Sequence, residues 1–170
     1  VKLPNEEVEK LCAQFEHVYP VNYNCPGQLS VSGAEDEMGA FAKAVKEAGG
    51  RAIPVKVSGA FHSPYMDPAA ASFKEVIEEA AFSHCSIPVY SNSTGAPYGE
   101  DICATLGRQI NSPVRWETII RTMIADGVDT FIEIGPGKTL SSFIKKTDSS
   151  VKIYGVAEAM EAQAVIDALA

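Results

Sequence analysis

Histidine is the side chain whose ordinary ionisation lies nearest neutrality, and of the three histidines in this chain only His62 has a setting suited to chemistry. It sits in Ser58-Gly-Ala-Phe-His-Ser-Pro64, between an alternating apolar stretch and a proline-led helical pattern. Sites in α/β folds open where a strand gives way to a helix, so a general base belongs there. On position alone, a surface or capping histidine is the plainer alternative. His17 and His84 lack this setting and read as surface or packing residues. A base by itself does not transfer an acyl group, because the reaction also needs a nucleophile and donors for the oxyanion. No G-x-S-x-G elbow occurs, and Ser30, Ser58, Ser91 and Ser93 all lie in other glycine contexts. Gly135-Pro-Gly-Lys-Thr139 invites a phosphate-loop reading, but Walker A spacing requires glycine where this chain has Ile132. A tight strand-to-helix turn is the reading that survives.

Cys12, Cys25, Cys85 and Cys103 form no CxxC pair, so they read as reduced bystander thiols rather than zinc ligands or a redox motif. Neither a metal nor a cofactor is expected. A net charge of −8 and a pI of about 4.9 argue against nucleic acid as a partner, since phosphate binding needs clustered cations. No apolar run reaches the length of a membrane span, and Val1-Lys-Leu-Pro-Asn-Glu-Glu7 has no signal-peptide character. Neither membrane nor export is expected, and cytoplasm is the expected location. The 170 residues, 46% apolar and 21% charged, suffice for one sizeable core. The chain opens without an initiator methionine, which suggests a piece of something longer.

The elements that must hold His62 alternate in type. Asn5 reads as the cap of a helix with Val8, Leu11, Cys12 and Phe15 on one face. Val21 to Ser32 reads as two strands around Pro26-Gly27. A helix from Glu35 to Ala48 stops at Gly49-Gly50, and Arg51 to Val57 alternates as a further strand. Beyond the His62 loop, Asp67 reads as the cap and Pro68 as the start of a helix reaching about Ala81, followed by a strand at Ile87 to Ser91. Helices are expected at Asp101 to Ile110, Trp116 to Asp126, Thr139 to Lys146 and Ala157 to Leu169. Strands are expected at Thr130 to Ile134 and Lys152 to Tyr154. This is the alternation of a parallel-sheet α/β layer following a small α+β unit.

In order along the chain, Asn22-Tyr-Asn-Cys-Pro-Gly-Gln28, Gly59-Ala-Phe-His-Ser63, Met66, Arg108-Gln109, Pro113-Val-Arg-Trp116 and Glu133-Ile-Gly-Pro-Gly-Lys138 resemble the malonyl-CoA:acyl-carrier-protein transacylases. The resemblance covers essentially the whole chain. It implies the second half of an α/β-hydrolase-like core with a small ferredoxin-like subdomain, residues 1–57 belonging to the subdomain and 58–170 to the core. It also implies a ping-pong transfer of malonyl from malonyl-CoA, through a serine ester, to the thiol of acyl carrier protein in fatty acid synthesis.

By the same resemblance His62 is the general base, and Gln109 offers its backbone carbonyl to the other imidazole nitrogen, so a side-chain change at Gln109 should be mild. Asn24 and Asn92 are candidates for lining the substrate site. Phe61 resembles the malonyl-selecting variant of its motif, where methylmalonyl-using relatives carry serine. The elbow serine, the oxyanion-loop glutamine and the arginine for the malonyl carboxylate lie upstream in relatives, so the upstream half of the same enzyme is an expected partner. Arg108, Arg115, Lys138, Lys145 and Lys146 are candidates for a local cationic patch facing an acidic carrier protein. A scaffold domain without chemistry and the acyltransferase domain of a multidomain synthase are the competing readings.

Overall fold

The structure is a computed structural model that describes residues 2–83 and 85–169, so His84 lies outside the described residues. Spatial contacts divide the chain into two compact units, Val1–Ile119 and Ile120–Ala170.

The first unit begins with helix α1 (Asn5–Cys12), strands β1 (Val18–Cys25) and β2 (Gln28–Gly33), and helix α2 (Glu35–Glu47). The strands pair antiparallel across Pro26-Gly27, where Gly27 adopts φ +70°, a conformation that a side chain resists. Both helices bury residues four apart, Val8 with Cys12 and Phe41 with Val45, and these join Val18 in one core. Phe15 meets Phe41 edge-on, with ring centroids 5.8 Å apart. Burial, with the nearby Glu9 charge, pushes the Cys12 thiol up to about 11, as suits a neutral core residue. Asn5 is not the expected cap. It is the first helical residue, and its amide donates to Glu117 Oε2 at 3.1 Å.

Pairing in β1 slips after Pro20, which has no N–H to give. The slip frees the following residues for a different neighbour. Val114 N donates to Val21 O at 2.8 Å and Tyr23 N donates to Val114 O at 2.8 Å, which fastens Pro113–Trp116 to β1. A 3-10 turn (Pro64–Met66) then leads into α3 (Asp67–Glu78), which packs against α4 (Ile102–Arg108) with Ile77 lying close to Gly107. Asp67 lies inside α3 rather than capping it. Asp101 does cap α4, accepting from Ala104 N at 2.9 Å. Helix α5 spans Trp116–Ala125.

Two expected strands do not form. Residues 51–57 carry no strand pairing, and in 87–91 only Tyr90 bridges, to Pro97. Proline sits inside each stretch, Pro54 and Pro88, and takes away a ladder donor, which confines such a segment to an edge. The apolar alternation is present without a surface to meet it: Val55 and Ile87 are each 74% exposed.

The second unit is a βαβ arrangement followed by a helix. Strand β3 (Thr130–Ile134) runs parallel to β4 (Lys152–Val156), and the crossover contains α6 (Thr139–Thr147); α7 (Ala159–Leu169) follows. α6 packs on both strands and α7 on β4, burying Phe131, Ile144 and Val165. The architecture is mixed α/β. Among the described residues no helix is long and apolar enough to cross a membrane.

Exposed Ile53, Val55, Val57, Ile87 and Val89 should make the 170-residue chain bind a hydrophobic dye under native conditions. Fluorescence at baseline, together with cooperative monomeric unfolding, would count against that expectation.

Candidate active site

His62 adopts φ +63°, a left-handed conformation uncommon for a residue with a Cβ. Several contacts impose it. Ser63, only 1% exposed, donates its hydroxyl to Ala60 O at 2.5 Å and closes the loop across His62. Met66 N returns to Ser63 O at 3.0 Å, and His62 N donates to Ile110 O at 3.2 Å. The side chain is then held at one ring nitrogen: Nδ1 lies 2.8 Å from the backbone carbonyl of Gln109. A carbonyl only accepts, so Nδ1 must carry the hydrogen. Nε2 is left with a lone pair, the arrangement a general base needs.

The Gln109 carbonyl comes from the end of α4, where Gln109 is the C-terminal cap residue and where last-turn carbonyls have no helical partner. The carbonyl end of the helix therefore faces the imidazole. The Gln109 side chain is engaged as well. Its Oε1 accepts from Asn92 N at 3.4 Å, and its Nε2 donates to the Tyr98 hydroxyl. The structure thus gathers His62, Gln109 and Asn92 into one connected group. Tyr98 and Ser63 also belong to it and were not singled out from sequence. Ser63 had a signal, since Ser-Pro after a glycine-led loop favours a turn. Tyr98 had none.

The remaining candidates are placed less closely. Phe61, next to His62, is 47% exposed. Asn24 lies on β1 and donates its amide to Ser30 Oγ at 3.2 Å. None of its hydrogen bonds among the described residues reaches the His62 loop. Arg108 and Arg115 belong to the first unit, and Lys138, Lys145 and Lys146 to the second. Arg115 is already used locally: Nε donates to Ser93 O at 3.2 Å, and the guanidinium lies 6.0 Å from the centre of the Tyr23 ring. Among the described residues no cluster of His, Cys, Asp and Glu is arranged to hold a metal.

An imidazole oriented at Nδ1, on a loop of a mixed α/β framework, has the geometry to accept a proton at Nε2. The chain belongs to the acyl transferase domain family, whose sequence profile matches residues 1–169. It is 42% identical over 153 residues to the malonyl CoA-acyl carrier protein transacylase of Bacillus subtilis (strain 168), covering 88% of this chain and 48% of that protein. The crystal structure of the malonyl CoA-acyl carrier protein transacylase from Clostridium perfringens superposes with a TM-score of 0.94 at 34% identity, over 99% of this chain and 55% of the other. A type II PKS acyl-carrier protein in complex with its malonyl-transacylase also matches, with a TM-score of 0.94 at 30% identity, over 99% of this chain and 56% of that one. The chain spans about half the length of the curated relatives it matches.

The Gly135-Pro-Gly-Lys138 turn holds an anion of its own. Glu133, on β3, accepts from Leu140 N at 3.0 Å and from Ser141 N at 2.8 Å, so its carboxylate occupies the start of α6 where a phosphate would sit. The Ser141 hydroxyl beside it, though without a well-formed hydrogen bond, and the two amides hold the Glu133 carboxyl below its usual range. A lowered pKa contributes stability above the unfolded value, near about 4.3, and that stability is lost as pH falls through the folded value. Glu133→Gln should therefore cost at most about 1 kcal/mol at pH 7, given its exposure to solvent. Urea unfolding should show the two proteins converging in acid; an offset of equal size at both pH values would refute this account.

Proposed function

We propose that this chain is the histidine-bearing part of a malonyl-CoA:acyl-carrier-protein transacylase of fatty acid synthesis. The observation that carries the reading is the 2.8 Å hydrogen bond from His62 Nδ1 to the Gln109 carbonyl, which leaves Nε2 as the base. In this reading a serine from the upstream part of the fold gives its proton to Nε2 and attacks the malonyl thioester. The proton then passes to the departing CoA thiolate. The carrier-protein thiol reverses the sequence, with His62 again moving the proton. A thiolate is a far better leaving group than an amine, so an orienting group weaker than a carboxylate suffices to support the imidazolium.

Phe61, exposed beside His62, fits a wall that excludes a branched malonyl, and Asn92, tied to Gln109, fits the rim of the same site. Asn24 joins them only through the family resemblance. The framework is read as the second half of an α/β-hydrolase-like core, 58–170, with 1–57 contributing to a ferredoxin-like subdomain. The exposed alternations at 51–57 and 87–91 support a partner that supplies the neighbouring strands, namely the upstream half of the same enzyme. Malonyl-CoA and acyl carrier protein are the proposed substrates, and the cytoplasm is the proposed location.

Intact-mass measurement before and after mixing with malonyl-CoA tests the reading. Protein that includes the upstream half should gain one hydroxylamine-labile malonyl group, and His62→Ala should slow that gain by about 10²- to 10⁴-fold. The 170-residue chain alone should gain nothing; malonylation of that chain would place the nucleophile within it and overturn the assignment of roles.

A further inference from the structure

We propose that Tyr98 is a positioning residue for His62, acting through the side chain of Gln109; this rests on the reading of His62 as the general base. The need for such a residue follows from where the orienting carbonyl lies. The carbonyls of Gln109 and Ile110 both face His62, one taking Nδ1–H and the other the backbone N–H. Both stand beyond the last turn of α4, where no helical hydrogen bond fixes the tilt of a peptide plane. The carbonyl that selects the tautomer is thus the part of the helix freest to rotate.

The Gln109 side chain restrains that rotation because it is tied at both polar atoms. Nε2 donates to the Tyr98 hydroxyl, and Oε1 accepts from Asn92 N at 3.4 Å. Tyr98 is itself anchored. Its N–H donates to Val89 O at 2.8 Å, Ser91 N donates to Ala96 O at 2.9 Å, and Tyr90 bridges Pro97, which closes the loop between them. Gly95, at φ +73°, lies so close to Thr118 that a Cβ there would stand 2.6 Å from the threonine methyl. Arg115 N fastens the near side of the loop, donating to Asn92 O at 2.8 Å. The phenol hydroxyl is one of the loop's two attachments to Gln109, the Asn92 amide being the other, so its loss loosens the side chain and, through it, the carbonyl.

The test labels histidine with 15N and reads the tautomer of His62 from its ring nitrogen shifts; with three histidines in the chain, His62→Gln assigns the signals. Tyr98→Phe should move His62 from the Nδ1–H toward the Nε2–H tautomer by about fivefold, the size of one lost neutral hydrogen bond. Gln109→Ala, which also removes the bond from Asn92 N, should shift it at least as far, and the double variant should show no change beyond that of Gln109→Ala, because Tyr98 acts only through this side chain. His17 should be unaffected. Tyr98→Met, which also lacks the acceptor, is the second variant if Tyr98→Phe does not fold. An unchanged His62 tautomer in the Tyr98 variants, or full additivity in the double variant, would overturn the proposal. No thioester is present in this measurement, so malonylation without a tautomer shift would leave the transferase reading standing and remove only this one.

Discussion

A neutral imidazole has one donor and one acceptor, and the local structure has to decide which nitrogen is which. Here the decision is made by the Gln109 carbonyl, 2.8 Å from His62 Nδ1. Much of the surrounding architecture serves that distance. The His62 loop is bent into a left-handed conformation and closed by Ser63, while α3 and α4 pack together and so bring the end of α4 beneath the loop. Strain of this kind persists only where neighbouring contacts over-determine it. Hydrogen bonds from the Ser63 hydroxyl, the His62 amide and the His62 ring do so here.

Local signals carried much of the chain into its observed elements. The four-residue spacing of Val8 with Cys12 and of Phe41 with Val45 marks two helices, and Pro26-Gly27 marks the hairpin between their strands. Local signals failed where pairing depends on a neighbour. Ile53, Val55 and Val57 alternate as a strand should, yet a strand exists only when another backbone accepts its hydrogen bonds, and Pro54 and Pro88 removed donors that could have helped. Asn5 has the chemistry of a cap but found Glu117 instead, more than a hundred residues away. In the site, His62 could be reached from its position between strand and helix patterns. The carbonyl of Gln109 came only from family resemblance, because every residue has one, and Tyr98 lies beyond sequence reading because its importance is a matter of what folds against it.

Burial is uneven along the chain. The hairpin with α1 and α2 encloses its own apolar cluster and leaves none of its five buried members more than 6% exposed. Downstream, extended segments with the composition of interior strands face solvent, as do Ile132 and Ile134 on β3. Parallel strands ordinarily lie between layers that cover both faces.

The choice of a peptide carbonyl over a carboxylate has a further consequence. A carboxylate beside a histidine forms a coupled pair, whose two protonations belong jointly to both groups and cannot be assigned to either alone. The Gln109 carbonyl has no proton to gain or lose, so the partner of Nδ1 is an acceptor in every state. The acceptor that orients the ring therefore belongs to the main chain, and a side-chain substitution can tilt it but never remove it.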